Sequence, residues 1–466
     1  MIRGIAALSA CAVAILLASA SHAAQSSGPQ YVAPAKSGAL FLVSGHGYGH
    51  GVGMGQWGAQ GFAKQGSTYD QILDAYYPGT TLGQTATISI HVLLASGKKK
   101  LSISSKKQIN VEDGDGIDHT LAAGTTTVTP ALKLAVDGGS AQALDPPLTF
   151  SPAAGTSLTL GRKYRGRIVV DAPSKKLRAI NVLPLQQYLY GVVTAEMPSS
   201  WLPAALQAQA VAARSYALAS RQAGAPYDVS AGGQAYLGVS AETPAGKQAV
   251  DATAGQVLLY NGSVALTLFS SSTGGRTQSA ADAFGPPGRP YLVSVSDPYD
   301  NISPWHNWGP VPVTGATLAS SLGVVGRVVD ATAKRNASRR VKTLRVTSLS
   351  RGEQLTDTVG GETVRSALGL RSTWFTVGVL SLQPPSPNPV VKPRTRVTLS
   401  GVVRGVSGAT VQKSTDGTTW TQLRSVTTSG AFHFGVKPKV TTQYRLATPD
   451  DAAAPVRIRV APATLR

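Results

Sequence analysis

Glu196 is the one acid between Asp171 and Asp228, in a stretch that is otherwise apolar or hydroxyl-bearing from Tyr188 to Trp201. Leu185, Leu189, Val192 and Val193 share one helical face after Pro184, which a first helical turn tolerates. Pro203 opens a second helix, expected to reach about Gln222 and to close at Gly224. Glu196 is therefore expected in the turn between two helices, with Met197 held extended by Pro198. A lone carboxyl there is costly to bury unless it is protonated or paired. Burial against Met197 and Trp201 would raise its pKa by up to about 3–5 units, which suits a general acid. The N-terminus of the following helix would lower it by roughly 0.3–1 kcal/mol, under one unit, so burial wins if the group is enclosed. A helix-capping glutamate paired with Arg214 accounts for the same residues.

Three other stretches carry polar chemistry. Gly45 to Gln56 places glycine at every second position through His46, Tyr48, His50, Val52 and Met54. His46 and His50 have the spacing that would put two imidazoles on one metal if they lay on a helix. The alternating glycines argue instead for a loop whose amides approach a ligand closely, with the imidazoles as donors or acceptors. A loop kept glycine-rich for packing is the plainer alternative. Ser270 to Thr277 offers Ser271, Ser272 and turn amides to a hydroxyl-rich ligand; a serine nucleophile would want a Gly-x-Ser-x-Gly elbow, which is missing. On the second helix Gln207, Arg214 and Ser215 either face a cleft or form its solvated side.

The elements that position these residues are mixed. Among 466 residues, 50 are glycine, and short alternating runs such as Ile88 to Val92 fill 87–180, which reads as strands separated by turns. Strands are also expected at 341–349 and 374–380, and short helices at Tyr69 to Tyr77 and Thr363 to Leu368. The second helix has a stripe of Leu206, Ala210, Ala213 and Ala217, small enough to let another backbone approach. Gln383 to Pro389 reads as a stiff linker, and 395–466 alternates as a small β-sandwich would. The fold class is α+β: a strand-rich core with a few helices, plus a small C-terminal all-β, sandwich-like module.

Residues 1–23 read as a secretory signal peptide, from Arg3 through an apolar run to Ser21-His22-Ala23, with 24–38 a lead-in. Its removal would take Cys11, the chain's single cysteine, so no disulfide and no thiolate metal ligand is expected. Lys plus Arg is 43 against 23 for Asp plus Glu, a net charge of +20, while only 14% of residues are charged, well below the roughly 25% of an average protein. The excess comes from scarce acids. It favours polyanions, and with no nucleic-acid-reading motif in an exported chain, an anionic wall polymer is the better partner than nucleic acid.

Taken together, Tyr188 to Trp201, Ala205 to Leu218, Ser270 to Thr277, Gly45 to Ala59, Tyr76 to Thr80 and Leu368 to Phe375 resemble the stage II sporulation protein D/LytB family of bacterial cell-wall proteins. The resemblance covers roughly 38–380 and implies a core at 39–382, made of the Gly/His segment 39–86, a β-rich part 87–180 and a catalytic part 181–382, followed by the linker 383–394 and the module 395–466. It implies a secreted lytic transglycosylase of the cell envelope, acting on peptidoglycan glycan strands stripped of stem peptides. Glu196 would protonate the glycosidic oxygen and then act as base while the muramic 6-hydroxyl attacks its own C1. His46, His50, Gln56, Trp201, Arg214, Ser271 and Ser272 would bind substrate. A non-catalytic wall-binding protein that enhances an amidase is the alternative the family allows. In many relatives the Gly/His stretch follows the Leu-Gly-Leu segment; here it comes first, which requires residues 40–58 to pack beside 370–380. Some relatives carry a zinc-binding cysteine pair where this chain has Tyr227 to Tyr236, and Gly55 stands where serine is usual; no metal or other cofactor is expected.

Overall fold

The computed structural model describes residues 38–462 apart from Ser386, Pro387, Pro389 and Thr428. The signal-peptide reading of 1–23 and nearly all of the lead-in lie outside these residues. The chain is α+β and strand-rich. It forms two compact units, which within the described residues are 62–268, and 38–61 together with 269–462. Among the described residues no helix is long and apolar enough to cross a membrane.

The first unit is built on a seven-stranded sheet in the order Val229–Ser230, Ser89–Lys98, Leu177–Pro184, Arg167–Asp171, Leu148–Pro152, Ile109–Glu112, Asp118–Leu121. Its pairs are antiparallel, except that Val229–Ser230 runs parallel to Ser89–Lys98. Alternation dictates which side chains go inward: in Arg167–Asp171, Ile168 and Val170 are buried between exposed or half-buried neighbours. The helices follow. Tyr69–Tyr76 buries Ile72, Leu73 and Tyr76. Leu185–Tyr190 and Val193–Glu196 replace the single helix expected before the turn, the break falling at Gly191 and Val192. Pro203–Ala219 starts with proline in its first turn and ends three residues short of the expected Gln222.

That helix is buried nearly all round. Beyond the expected stripe, Ala205, Ala208, Ala212 and even Gln209 and Ser215 have no exposed surface. A helix apolar on every side belongs inside a core. Alanine makes this possible, because neighbouring elements come close without having to clear long side chains. The helix packs on Tyr69–Tyr76, Pro244–Ala252 and the strand Gln256–Tyr260.

A polar knot closes the far end of the seven-stranded sheet. The His119 ring bonds Asp113 Oδ2 through Nε2 at 3.0 Å and Asp137 Oδ2 through Nδ1 at 3.1 Å. Hydrogen bonds to Asp113 and then Asp137 raise the His119 pKa above 6.5. The bond from His119 lowers Asp113 below 3.8, and the amide of Thr120 lowers Asp137 most. The histidine's contribution to stability is complete below pH 6.5 and fades as pH rises through its raised pKa; the aspartates' is complete above 3.8 and fades as pH falls through their lowered values. An NMR titration of the His119 ring should therefore give a midpoint above 6.5, and His119→Gln should remove the alkaline loss of thermal stability. A midpoint at or below the ordinary value would contradict the knot.

The second unit holds a five-stranded antiparallel sheet in the order Asn307–Thr314, Leu40–His46, Phe375–Gln383, Val397–Arg404, Gly430–Val436. Leu40–His46 pairs with Phe375–Gln383 from Leu40↔Leu380 to Gly45↔Phe375, so the early Gly/His segment does pack beside 370–380. The strands flanking the Pro-rich segment pair directly, from Val379↔Arg404 to Gln383↔Ser400. Alternate residues of this sheet feed two cores. Phe41, Val43, Phe375 and Val379 pack with Val328, Val341, Leu344 and Val346 of the three-stranded sheet Arg327–Arg335, Val341–Ser350, Glu353–Gly360. Leu40, Leu42, Leu380 and Leu382 pack with Leu399, Val411, Phe434, Tyr444 and Leu446 from the C-terminal strands.

Candidate active site

Glu196 is the last residue of Val193–Glu196, a single helical turn whose Val193 is fully buried. Met197 follows with φ −125° and ψ 146°, the extended form expected before Pro198. The chain then turns through Pro198 to Ser200, where the amide of Trp201 donates to Pro198 O at 3.1 Å. Glu196 is half-buried, as is Trp201, while Met197 is enclosed. The amide of Ala235 donates to Glu196 Oε1 at 2.6 Å, which fixes the carboxyl against the loop that follows the long helix.

Gln234 holds that loop. Its side chain, 2% exposed, accepts from the Tyr188 hydroxyl at 2.8 Å and donates to Ala213 O at 3.2 Å. Tyr236 continues the network, donating to Asn181 Oδ1 at 2.7 Å, with its ring 4.8 Å from that of Tyr188. Burial, with the Glu196 charge as a lesser cause, holds both Tyr188 and Tyr216 above the ordinary phenol value. Both phenols are therefore neutral at neutral pH. The stretch Tyr227 to Tyr236, lacking cysteine, is thus pinned by side-chain hydrogen bonds.

Arg214 does not line a cleft. It is 1% exposed, and it donates to Gln256 O at 2.9 Å, Gln186 Oε1 at 3.2 Å and Val250 O at 3.3 Å, while its buried Nε meets no acceptor among the described residues. Burial lowers its pKa to about 10, so it remains charged at neutral pH. It ties the long helix to the end of Pro244–Ala252 and to the start of Gln256–Tyr260. Arg214→Met should leave Gln256 O and Gln186 Oε1 without this donor, Val250 O keeping those of Gln186 Nε2 and Thr253 Oγ1, and cost about 2 kcal/mol of stability, since each unsatisfied buried group costs roughly 1–3 kcal/mol. Chemical denaturation would read this; a change under 1 kcal/mol would refute the clamp.

His46, His50, Gln56, Ser271 and Ser272 belong to the second unit, Glu196, Trp201 and Arg214 to the first. From Gly47 to Gly53 the stretch is a loop, as the glycines imply, with Gly47, Gly49, Gly51 and Gly53 all at positive φ, whereas Gly45 and His46 end the strand Leu40–His46. Its amides are engaged within the protein rather than offered to a ligand: Gly47 N donates to Trp305 O, Tyr48 N to Ser272 O, Gly49 N to Arg371 O and Gly51 N to Ser270 Oγ. Gly51 is required twice over, by its φ of +70° and because a Cβ there would fall 2.0 Å from Arg340 Nη2.

His50 is spent on backbone. Nδ1 accepts from Val52 N at 3.0 Å, which leaves the proton on Nε2 to donate to Phe269 O. Burial, then the Arg340 and Arg365 charges, lowers its pKa to about 4, so the ring is neutral at neutral pH. His46 is half-buried, 5.0 Å from the Trp374 ring and 6.5 Å from that of His306. Gln56, the first residue of helix Gln56–Lys64, is 5% exposed. Ser271 is half-buried and its carbonyl accepts from Trp57 N.

Ser272 departs from the expected ligand role: it has no exposed surface, and its hydroxyl lies 2.9 Å from each oxygen of Asp300. Asp300, also without exposure, further accepts from Thr273 N, Gly274 N and His306 Nδ1 at 2.9–3.0 Å. Asp297 accepts from Thr273 Oγ1 at 2.7 Å. The hydroxyls that looked suited to a ligand serve two buried aspartates. Sequence reading missed Asp297, Asp300, Trp305 and His306; their one signal was the run Asp297-Pro-Tyr-Asp300 to Trp305-His306, rich in aromatic and polar residues without a helical or strand period.

The family model described as stage II sporulation protein matches residues 173–260, the stretch holding Glu196, the long helix and the Gln234 loop. Stage II sporulation protein D of Bacillus subtilis is 30% identical over 224 residues, 42% of this chain and 61% of that protein. Residues 173–260 thus carry a SpoIID-type domain. The amidase enhancer of Bacillus subtilis is 40% identical over 117 residues, 25% of this chain and 16% of that protein. An uncharacterized protein of Brachyspira hyodysenteriae is 36% identical over 167 residues, 34% of this chain and 45% of its own. The chain thus spans less than two thirds of the length of each of these relatives. No solved structure is significantly similar to the chain.

Proposed function

We propose that this protein is an exported enzyme of the cell envelope that cleaves peptidoglycan glycan strands by lytic transglycosylation, with Glu196 as acid and then base. The observation that carries the reading is Glu196 itself: a half-buried carboxyl at the end of a helical turn, held by the Ala235 amide within the family-matched segment. With Oε1 accepting from that amide, the transferable proton resides on Oε2. It passes to the glycosidic oxygen as the bond to muramic C1 breaks, and the leaving sugar keeps it as a hydroxyl. The muramic 6-hydroxyl oxygen then bonds C1, and its proton returns to Glu196. Atoms balance without water, and one carboxyl suffices, whereas hydrolysis calls for two, about 5–9.5 Å apart. Trp201, half-buried beside the turn, is the proposed sugar contact next to Glu196.

Similarity to a protein named amidase enhancer favours a second reading: a wall-binding protein that assists an amidase without cleaving glycan. The basic charge suits wall binding on either reading. Incubation with peptide-stripped strands and with intact sacculi separates them. Soluble fragments from the stripped strands support the enzyme; sedimentation with the wall, no fragments and a faster added amidase support the enhancer.

A further inference from the structure

The second unit carries an arginine whose side-chain donors bond no acceptor among the described residues. The Arg371 guanidinium lies 3.7 Å from the Trp305 ring centroid and 5.7 Å from that of Tyr48, whose rings meet edge to face at 5.9 Å and 79°. Other arginines nearby in the fold are committed: Arg335 to Arg339 O and Phe375 O, Arg340 to Thr273 O, Arg365 to Glu362. Among the described residues nothing takes a hydrogen bond from the Arg371 guanidinium, and its nitrogens are not sealed from solvent. Asp297 and Asp300, the acids of the neighbouring loop, are buried and bound to Ser272, Thr273, Gly274 and His306.

The frame that holds it is rigid. Gly49 N donates to Arg371 O, Gly47 N donates to Trp305 O, and Tyr48 exchanges two backbone bonds with Ser272. Tyr48 is 37% exposed, so the cluster opens to solvent on an aromatic edge. A guanidinium stacked on an aromatic face keeps its planar fork free for two parallel bonds to a carboxylate, a geometry lysine cannot offer. Tyrosine and tryptophan add an apolar surface with a polar rim, the complement of a sugar ring.

We propose that Arg371, Trp305 and Tyr48 form a binding subsite for a carboxylate-bearing sugar, the guanidinium taking the carboxylate and the aromatic rings the sugar's apolar face. Resting on the reading above, the occupant is a muramic residue whose lactyl carboxylate is free because its peptide is gone. An amide-linked peptide removes that negative charge from the lactyl group, so the subsite distinguishes stripped from substituted strands.

The test is binding, not turnover. N-acetylmuramic acid, its neutral carboxamide and N-acetylglucosamine are titrated into the full chain and followed by saturation-transfer NMR. The acid should bind at least about 10-fold tighter than either neutral sugar, as a charge-assisted bond implies. Arg371→Gln should bring that ratio to about one, and Arg371→Lys should fall between. The ligand series on the unaltered protein does not depend on how the variants fold. Equal affinities for acid and carboxamide, or no binding of the acid, would overturn the subsite. Carboxylate preference without any strand cleavage would sink the enzymatic reading alone; cleavage with no carboxylate preference would sink the subsite alone.

Discussion

Glu196→Gln should lower the rate of glycan-strand cleavage by about 10³-fold or more while leaving the fold intact. The amide keeps the size of the carboxyl, and its oxygen can still accept from Ala235 N. What it loses is the exchangeable proton and the ability to take one back. Acid–base groups contribute roughly 10²–10⁴-fold, and on the proposed mechanism one group serves both steps, which places the loss toward the upper end. Affinity for stripped strands should change little, because the proton matters most as the bond breaks. Glu196→Asp, one methylene shorter, should also fall sharply, since the acid then no longer reaches the same oxygen. Initial rates on stripped strands, with thermal melting as the folding control, provide the check. A Glu196→Gln protein that cleaves within about 5-fold of the wild type would remove Glu196 from the mechanism.

Asp300→Ala should cost the second unit about 4 kcal/mol. Asp300 has no exposed surface and collects four donors: the Ser272 hydroxyl, the Thr273 and Gly274 amides and His306 Nδ1. Removing the acceptor leaves these donors buried without a partner, at roughly 1–3 kcal/mol each, partly relieved by water entering the space. For a unit of this size the melting midpoint should drop by about 10 °C. Asp300→Asn keeps one accepting oxygen but turns an amino group toward donors, and should cost about half as much. His306 would lose its anchor, and the His46 ring 6.5 Å from it would gain freedom visible in its NMR line widths. If Asp300→Ala melts within 2 °C of the wild type, the aspartate does not hold the loop.

These two residues show what could be read in the chain beforehand. Glu196 was legible as a lone acid in an apolar stretch, and the extended Met197 followed from Pro198, but the helical turn Val193–Glu196 stands where a turn was expected. The strand Val341–Ser350 came within a residue of expectation because alternation is a local signal. Asp300 was not legible. Its burial is created by a loop of residues 272–274, and no periodicity marks an aspartate that will be enclosed by amides from elsewhere. Arg214 misled for a related reason. A polar residue on a helix suggests a solvent or cleft face, yet this helix is so rich in alanine that neighbours close around every side, and its arginine becomes an internal clamp. The glycines of 45–53 predicted a loop with closely approached amides. That the partners would be Trp305, Ser272 and Arg371 required pairings across more than 200 residues of sequence. The pairing of Phe375–Gln383 with Val397–Arg404 was hidden for a different reason: a proline-rich run between two neighbouring strands reads locally as a spacer.

The central claim is that the scissile bond is broken by one carboxyl and by the sugar's own hydroxyl, with no water entering. Digestion of stripped strands in water enriched with heavy oxygen tests it directly, with the new ends read by mass spectrometry. The account predicts anhydro ends carrying no label and inert to borohydride. Labelled, reducible ends would show a water nucleophile and a second catalytic base, and an undigested strand would show that the protein does not cleave glycan at all.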